Sequence, residues 1–244
     1  MTVHSTDLHD MTQDFAARRS TLGWASSRAA SRSRIDRTYR RGAKRAFELA
    51  LVIAAAPFWM AIILISALLV ACDGHLPFYT QLRIGRSGRI FRMWKLRSMV
   101  PDAEARLQAH LAADPKARAE WDALQKLKDD PRITPVGRVL RKTSIDELPQ
   151  LWNVLVGDMS LVGPRPMMFG PRPMMVSQRE LYHGANYYAL RPGLTGFWQI
   201  SDRNECGFRD RVRFDDAYER AVSLRTDLVV LWRTVAVVLR GTGY

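Results

Sequence analysis

Cysteine is scarce in this chain and histidine is scattered. The 244 residues include 2 cysteines, Cys72 and Cys206. They lie far apart and in no metal-ligand spacing, which excludes a disulfide framework and suits a reduced cytosolic setting. The 5 histidines (His4, His9, His75, His110 and His183) show no paired spacing, which argues against a zinc centre. Acidic residues are also in short supply: 24 Asp and Glu stand against 37 Lys and Arg, for a net charge of +13 and a pI near 10.4. Such a balance favours anionic partners, whether nucleic acid, acidic lipid head groups or phosphorylated substrates, and does not choose among them. The length suits one domain of ordinary size better than two large ones.

Residues 1 to about 38 are rich in Ser, Thr, Arg and Ala without an apolar period, and they read as a flexible basic tail. No apolar stretch follows Arg18-Arg19 closely, so the pair is not a twin-arginine signal. A membrane segment is expected over residues 39–76. Its heart is Leu49 to Cys72, 24 positions without a charge, bounded by Glu48 and Asp73. As a straight helix this run would extend about 36 Å, enough for a hydrocarbon core of roughly 30 Å. Pro57 interrupts it, because proline lacks an N–H and collides with the carbonyl four residues earlier, at Ile53. A kinked spanning helix or a re-entrant hairpin both accommodate that break. Arg32, Arg34, Arg37, Arg40, Arg41, Lys44 and Arg45 precede the run, and Arg83, Arg86, Arg89, Arg92, Lys95 and Arg97 follow it. Basic clusters prefer the cytoplasmic side, and only the hairpin keeps both there.

Phe78–Arg83 and Arg89–Arg97, joined by Gly85-Arg86-Ser87-Gly88, read as a β-hairpin. Alternation along the second strand would put Lys95 and Arg97 on one face. Residues 102–113 and 116–128 read as helices anchored by Leu107, Leu111, Trp121 and Leu124, with Asp114-Pro115 between them. From about Phe208 the chain is again helical. Leu228 to Leu239 is too short and too interrupted to span a membrane; it suits a helix lying in the interface, with Trp232 as anchor, or one packed on the core.

The densest chemistry lies from Arg138 to Gln150, where Arg138, Arg141 and Lys142 precede the adjacent carboxylates Asp146 and Glu147. Pro149 is tolerated only in the first turn of a helix, so a helix should begin between Ile145 and Leu148. Ser144 and Glu147 have capping-box spacing, which offers a purely structural role. A helix start also presents free N–H groups and a positive dipole end, which keep a carboxylate ionised and attract phosphate. Capping and phosphoryl transfer both remain open at this point. Further on, Pro164-Arg165-Pro166 fixes the backbone around one arginine, as a diphosphate or nucleobase clamp would require.

Taken together, Lys95-Leu-Arg97-Ser-Met99, Arg138 through Asn153, Gly157 through Pro166, Arg191-Pro-Gly-Leu-Thr-Gly196 and then Asp215, Tyr218 and Asp227 resemble the bacterial sugar transferases. These are monotopic polyprenyl-phosphate phosphoglycosyl transferases, and the chain is most similar to their ExoY-like exopolysaccharide-production members. The resemblance covers residues 40–244. It implies an α-rich α+β fold, with a re-entrant membrane helix hairpin and a small cytosolic catalytic domain over residues 77–244, on the cytoplasmic face of the inner membrane. It implies that Asp146 is the nucleophile toward a UDP-sugar and that Glu147 assists it and shares Mg²⁺. It places Lys95, Arg97, Arg141 and Arg165 near the phosphates or nucleotide. Polyprenyl phosphate and anionic inner-membrane lipids are the implied partners, with no nucleic acid and with room for a homo-oligomer.

Two departures from the family pattern stand out. Ala56 occupies the place before the helix-breaking proline where many members carry Ser, and the motif Gly163–Met168 (GPRPMM) recurs at Gly170–Met175. Arg165 follows the family-like Gly157–Val162 segment directly, so it, rather than Arg172, is expected to be the working arginine. One rival reading is a membrane-tethered nucleic-acid-binding protein, whose binding would fall steeply with salt. Another is a polysaccharide-assembly scaffold inactivated by the duplication. The topology has its own test. In a cysteine-free background, single cysteines at Ala30 and Ile90 should both resist an impermeant label applied outside intact cells. Labelling of one site alone would establish a spanning helix.

Overall fold

A computed structural model of the chain describes residues 36–124, 127–169, 186–201 and 211–239, with Gln178, Tyr182 and Gly184. Most of the expected tail, residues 1–35, and the second GPRPMM copy, including Arg172, lie outside the described residues.

The fold is α-rich with small sheets. A π-helical turn at Tyr39–Ala43 leads into α1 (Lys44–Ala54), followed by α2 (Ala56–Ala71), β1 (Phe78–Ile84) and β2 (Ile90–Leu96). Next come α3 (Ala103–Ala113), α4 (Pro115–Leu124), α5 (Pro135–Lys142), a 3₁₀ turn at Ile145–Glu147, and α6 (Gln150–Val156). The remainder is β3 (Ser160–Val162), β4 (Met167–Met168), α7 (Asn186–Ala189), β5 (Gly193–Thr195), α8 (Phe197–Ile200), α9 (Arg211–Ala221) and α10 (Leu224–Leu239). One sheet has the order β2-β1-β4, and β3 pairs in parallel with β5. The hairpin expected from the sequence is present. Its turn, Arg86–Gly88, places Ser87 and Gly88 at positive φ. Asp114 divides α3 from α4, and its carboxylate accepts from the N–H groups of Lys116 and Ala117 at the start of α4. The side chain of Leu124 lies outside the described residues.

The uncharged run is two helices, not one. They meet at Ala55 with a 59° bend. Pro57 explains the break: it stands in the first turn of α2, where a missing N–H costs nothing. At 16 residues α2 is about 24 Å long. Among the described residues, no single helix is long and apolar enough to cross a membrane. α2 is apolar on every side, and Phe58 (75% exposed), Leu64, Ile65 and Leu68 all face outward. An apolar surface of that extent is unusual on a soluble monomer.

The residues fall into two compact units. The first holds the chain through Ala56, Gln81–Met93 and Gln150–Val237. Its centre is a polar network on α1. Glu48, 2% exposed, accepts from Ser160 Oγ at 2.6 Å, from the N–H groups of Leu161 and Val162, and from Lys44 one helical turn earlier at 2.8 Å. Lys44 also reaches Asp227 at 2.5 Å, and the hydroxyls of Tyr39 and Tyr218 donate to the same carboxylate. Burial, with Asp227 beside them, pushes both phenols far above their usual range. Buried charge is tolerated because every partner is supplied. Nearby, β3 and β5 run so close that a Cβ on Gly193 or Gly196 would lie 2.1 Å from Gly163 backbone atoms, which is why the motif repeats glycine.

The second unit holds Pro57–Thr80, Trp94–Pro149 and the chain from Val238. Ala67, Val70, Leu96 and Leu140 form its core, with Val136 and Ile145 packed against them. A separate cluster unites Leu107, Leu111 and Ala117 with Trp121. α5 starts on a Thr134 cap, whose hydroxyl accepts from the Gly137 N–H at 2.9 Å, with Pro135 in its first turn. Gly137 presses on Ser98, whose carbonyl oxygen would lie 2.0 Å from an added Cβ. Helix propensity favours alanine there by about 1 kcal/mol, but a backbone clash outweighs it. Gly137→Ala should therefore destabilise the protein by about 2 kcal/mol, read as a lower melting temperature. A melt at or above that of the parent would contradict this packing.

Candidate functional site

Asp146 and Glu147 lie in the 3₁₀ turn between α5 and α6, in the second unit. Local sequence explains the turn. α5 ends at Lys142, and the hydroxyl of Thr143, the residue after it, donates back to the Val139 carbonyl at 2.8 Å. Pro149 then prevents one continuous helix through the acidic pair, so α6 begins at Gln150. The result is a short, tightly wound turn that projects two adjacent carboxylates.

The capping box expected from Ser144 and Glu147 does not form. Ser144 adopts a left-handed conformation with φ 57° and makes no side-chain cap bond. An N-cap needs extended backbone angles to aim its oxygen at the following N–H groups, and the left-handed conformation aims it elsewhere. Glu147 is engaged instead by Lys95, whose Nζ lies 2.7 Å from Oε1. The same ammonium is 3.7 Å from Asp146 Oδ2. Asp146 is 7% exposed and Lys95 9%. One buried cation thus faces two carboxylates, a costly grouping unless partners are fixed. A carboxylate held this way is oriented, shielded from bulk water and close to a positive charge. Those are the requirements of a nucleophile or metal ligand at a phosphate. Asp146 and Glu147 supply only oxygen donors, the set that Mg²⁺ takes from proteins.

The other sequence-derived residues fall into two groups. Arg97 and Arg141 belong to the same unit as the acidic pair. Arg141 donates from Nε to Ser98 Oγ at 2.8 Å. Arg97 turns to Asp73, with two contacts of 2.6 Å, so its bonds are not made with the acidic pair that Lys95 meets. Arg97 stands just past the end of β2, and the strand alternation that pairs its direction with that of Lys95 no longer applies. Arg165 is in the first unit, half-buried, on a backbone bonded at every carbonyl of Pro164-Arg165-Pro166. Pro164 accepts from the Gly193 N–H at 2.8 Å, Arg165 from the Arg211 guanidinium, and Pro166 from Arg83 Nη1 at 3.0 Å. Arg211 itself is buried beside Asp215, which accepts from the Tyr182 hydroxyl at 2.8 Å. Burial raises the Asp215 carboxyl to about 6, against the nearby Arg211 charge. The sequence alone offered Asp215, Tyr218 and Asp227 only as motif matches.

The Ser144 conformation makes a separable prediction. A working cap would cost about 1 kcal/mol on replacement by alanine. Here Ser144→Ala should change stability by no more than about 0.5 kcal/mol, and Ser144→Gly should raise it, since glycine relieves the left-handed backbone. Thermal melts of the two variants decide it; a large loss in the alanine variant would restore the capping box.

Comparison with known proteins places these features in a family. The Bacterial sugar transferase family model matches residues 39–241. A UDP-galactose-lipid carrier transferase of Erwinia amylovora is 45% identical over 202 residues, 82% of this chain and 41% of that protein. The undecaprenyl-phosphate galactose phosphotransferase of Salmonella typhimurium is 48% identical over 176 residues, 71% of this chain and 36% of that protein. The chain thus spans less than half the length of these two relatives. Exopolysaccharide production protein ExoY of Rhizobium meliloti is 43% identical over 204 residues, covering 82% of this chain and 87% of ExoY. With a family match that runs from the turn before α1 through α10 and includes the acidic turn, the chain belongs to the bacterial sugar transferase family.

Proposed function

We propose that the chain transfers a phosphosugar from a UDP-sugar to polyprenyl phosphate, at the cytoplasmic face of the bacterial inner membrane. This would be the first committed step of exopolysaccharide repeat-unit assembly. The observation that carries the proposal is the buried Asp146 beside Glu147 and Lys95. The names of the relatives from Erwinia amylovora and Salmonella typhimurium favour galactose 1-phosphate as the transferred group.

The reaction has two displacements. An Asp146 carboxylate oxygen attacks the β-phosphorus of the UDP-sugar. The bond from that phosphorus to the bridging oxygen breaks, and UMP leaves with the oxygen. A phosphate oxygen of the polyprenyl carrier then attacks the same phosphorus and releases the carboxylate, forming polyprenyl diphosphate sugar. Glu147 holds its neighbour in place, and Lys95 meets charge on the transferring group. Positioning and charge neutralisation are what phosphoryl transfer chiefly demands. Asp146 and Glu147 are the residues that would hold Mg²⁺, which would supply further neutralisation at the phosphates. Arg141 and Arg165 would bind the diphosphate or the nucleotide, with Arg165 carried on its anchored Pro-Arg-Pro backbone. The bent α1–α2 pair would enter the membrane and return. α10 would lie in the interface through Leu224, Leu228, Trp232 and Val235, all exposed along one face.

Purified protein incubated with Mg²⁺, polyprenyl phosphate and a panel of UDP-sugars should release UMP with one or two of them. Asp146→Asn should abolish release, because an amide is a poor nucleophile and a poor Mg²⁺ ligand, and Glu147→Gln should be severely impaired. A well-folded Asp146→Asn variant that keeps more than a few per cent of UMP release would reduce Asp146 to a structural residue.

A further inference from the structure

The family resemblance assigns Arg97 to a phosphate, but its hydrogen bonds assign it elsewhere. A guanidinium has five N–H donors, and each has a protein acceptor here. Nε donates to the Leu76 carbonyl at 2.9 Å. Nη1 donates to Asp73 Oδ2 at 2.6 Å and to the Met99 carbonyl at 3.4 Å. Nη2 donates to Asp73 Oδ1 at 2.6 Å and to the Val70 carbonyl at 3.2 Å, with the His75 carbonyl at 3.4 Å. The arginine side chain is only 12% exposed. No donor is left to bind a substrate phosphate without breaking this set.

Most of these acceptors share one location. Val70, Asp73, His75 and Leu76 form the last turn of α2 and the chain leaving it. The Val70 carbonyl is one of the last four of the helix, which have no partner within it. A cation at a helix C-terminus is also favoured by the dipole. The fork-to-fork pairing is strong enough to draw the Asp73 carboxyl down to about 2.

Arg97 is the third of three consecutive residues that tie the unit together. Lys95 contacts Glu147 and Asp146. Leu96, fully buried, belongs to one core cluster with Ala67 and Val70 of α2 and Leu140, and Ile145, next to Asp146, packs against that cluster. Arg97 grips the exit of α2. The acidic turn and the end of the apolar helix are therefore both contacted from one short stretch of chain.

We infer that Arg97 is a positioning residue whose clamp on Asp73 sets the acidic pair at a defined height from the end of the apolar helix, for an acceptor phosphate carried on a membrane lipid. The inference rests on the transfer reaction above for its acceptor, but not for the clamp. Replacing the clamp should disturb the lipid-borne acceptor more than the soluble donor.

The test uses the full chain in phosphatidylethanolamine–phosphatidylglycerol vesicles, with Arg97→Asp, Asp73→Arg, the double exchange, and Arg97→Lys. Two quantities are read: the melting temperature without substrate, and the KM values for UDP-sugar and polyprenyl phosphate. Arg97→Asp should lower the melting temperature, and the double exchange should recover at least half of that loss. Arg97→Lys, which keeps the charge but loses the fork, should raise the KM for polyprenyl phosphate by tenfold or more and leave that for UDP-sugar within about threefold. UMP release from UDP-sugar alone, at one equivalent per enzyme, should persist in it. A double exchange no more stable than Arg97→Asp overturns the clamp. A lysine variant whose main defect is the KM for UDP-sugar overturns it too, by making Arg97 a donor-phosphate ligand. Absence of UMP release from the unaltered protein counts against the transfer reaction alone, because the melting comparison needs no substrate.

Discussion

A run of 24 uncharged residues has to begin and end at charges that a protein must then hold in place. This is the constraint around which both units are arranged. Glu48 closes the run at one end and Asp73 at the other. Each is fixed by partners brought from far along the chain: Glu48 by Ser160, Leu161 and Val162, and Asp73 by Arg97. Neither carboxylate is left to solvent screening alone. Arranged this way, the ends of the two apolar helices become fixed points of the fold rather than loose flanks.

The two ends are handled differently because their surroundings differ. Glu48 is buried, and its charge is balanced by Lys44 within a network that also contains Asp227, Tyr39 and Tyr218. Such a network is expensive if any member is lost, since the others would keep their burial without their partners. Asp73 is partly open, and one arginine suffices to hold it through a paired set of bonds. The acidic turn extends the same logic. There Lys95 stands beside both carboxylates, 2.7 Å from Glu147 and 3.7 Å from Asp146.

Proline and glycine mark where geometry rather than burial governs. Pro57 ends α1 and opens α2, Pro135 opens α5, and Pro149 separates the 3₁₀ turn from α6. Gly137, Gly193 and Gly196 stand where another backbone approaches too closely for any side chain.

Much of this was readable from the amino-acid order because the physics is local. The uncharged run, its break at Pro57, the hairpin at Gly85–Gly88, the division at Asp114-Pro115 and the adjacent carboxylates at Asp146-Glu147 each depend on neighbours a few residues apart. The capping box failed for the same reason it was attractive. Its spacing is local, but the backbone angle of Ser144 is set by the way α5 stops and the acidic turn winds, and spacing does not encode an angle. The partners of Arg97, Lys95 and Glu48 were also out of reach. They lie 24, 52 and 112 positions away, and long side chains choose among many carboxylates and carbonyls by where the folded chain delivers them. Amino-acid order alone settles the uncharged run, the hairpin, the prolines that break helices and the identity of the charged groups, but not the short strands β3, β4 and β5. Which charge meets which is a property of the packed fold, because electrostatic pairing depends on distance in space and on burial, and neither exists until the core has packed.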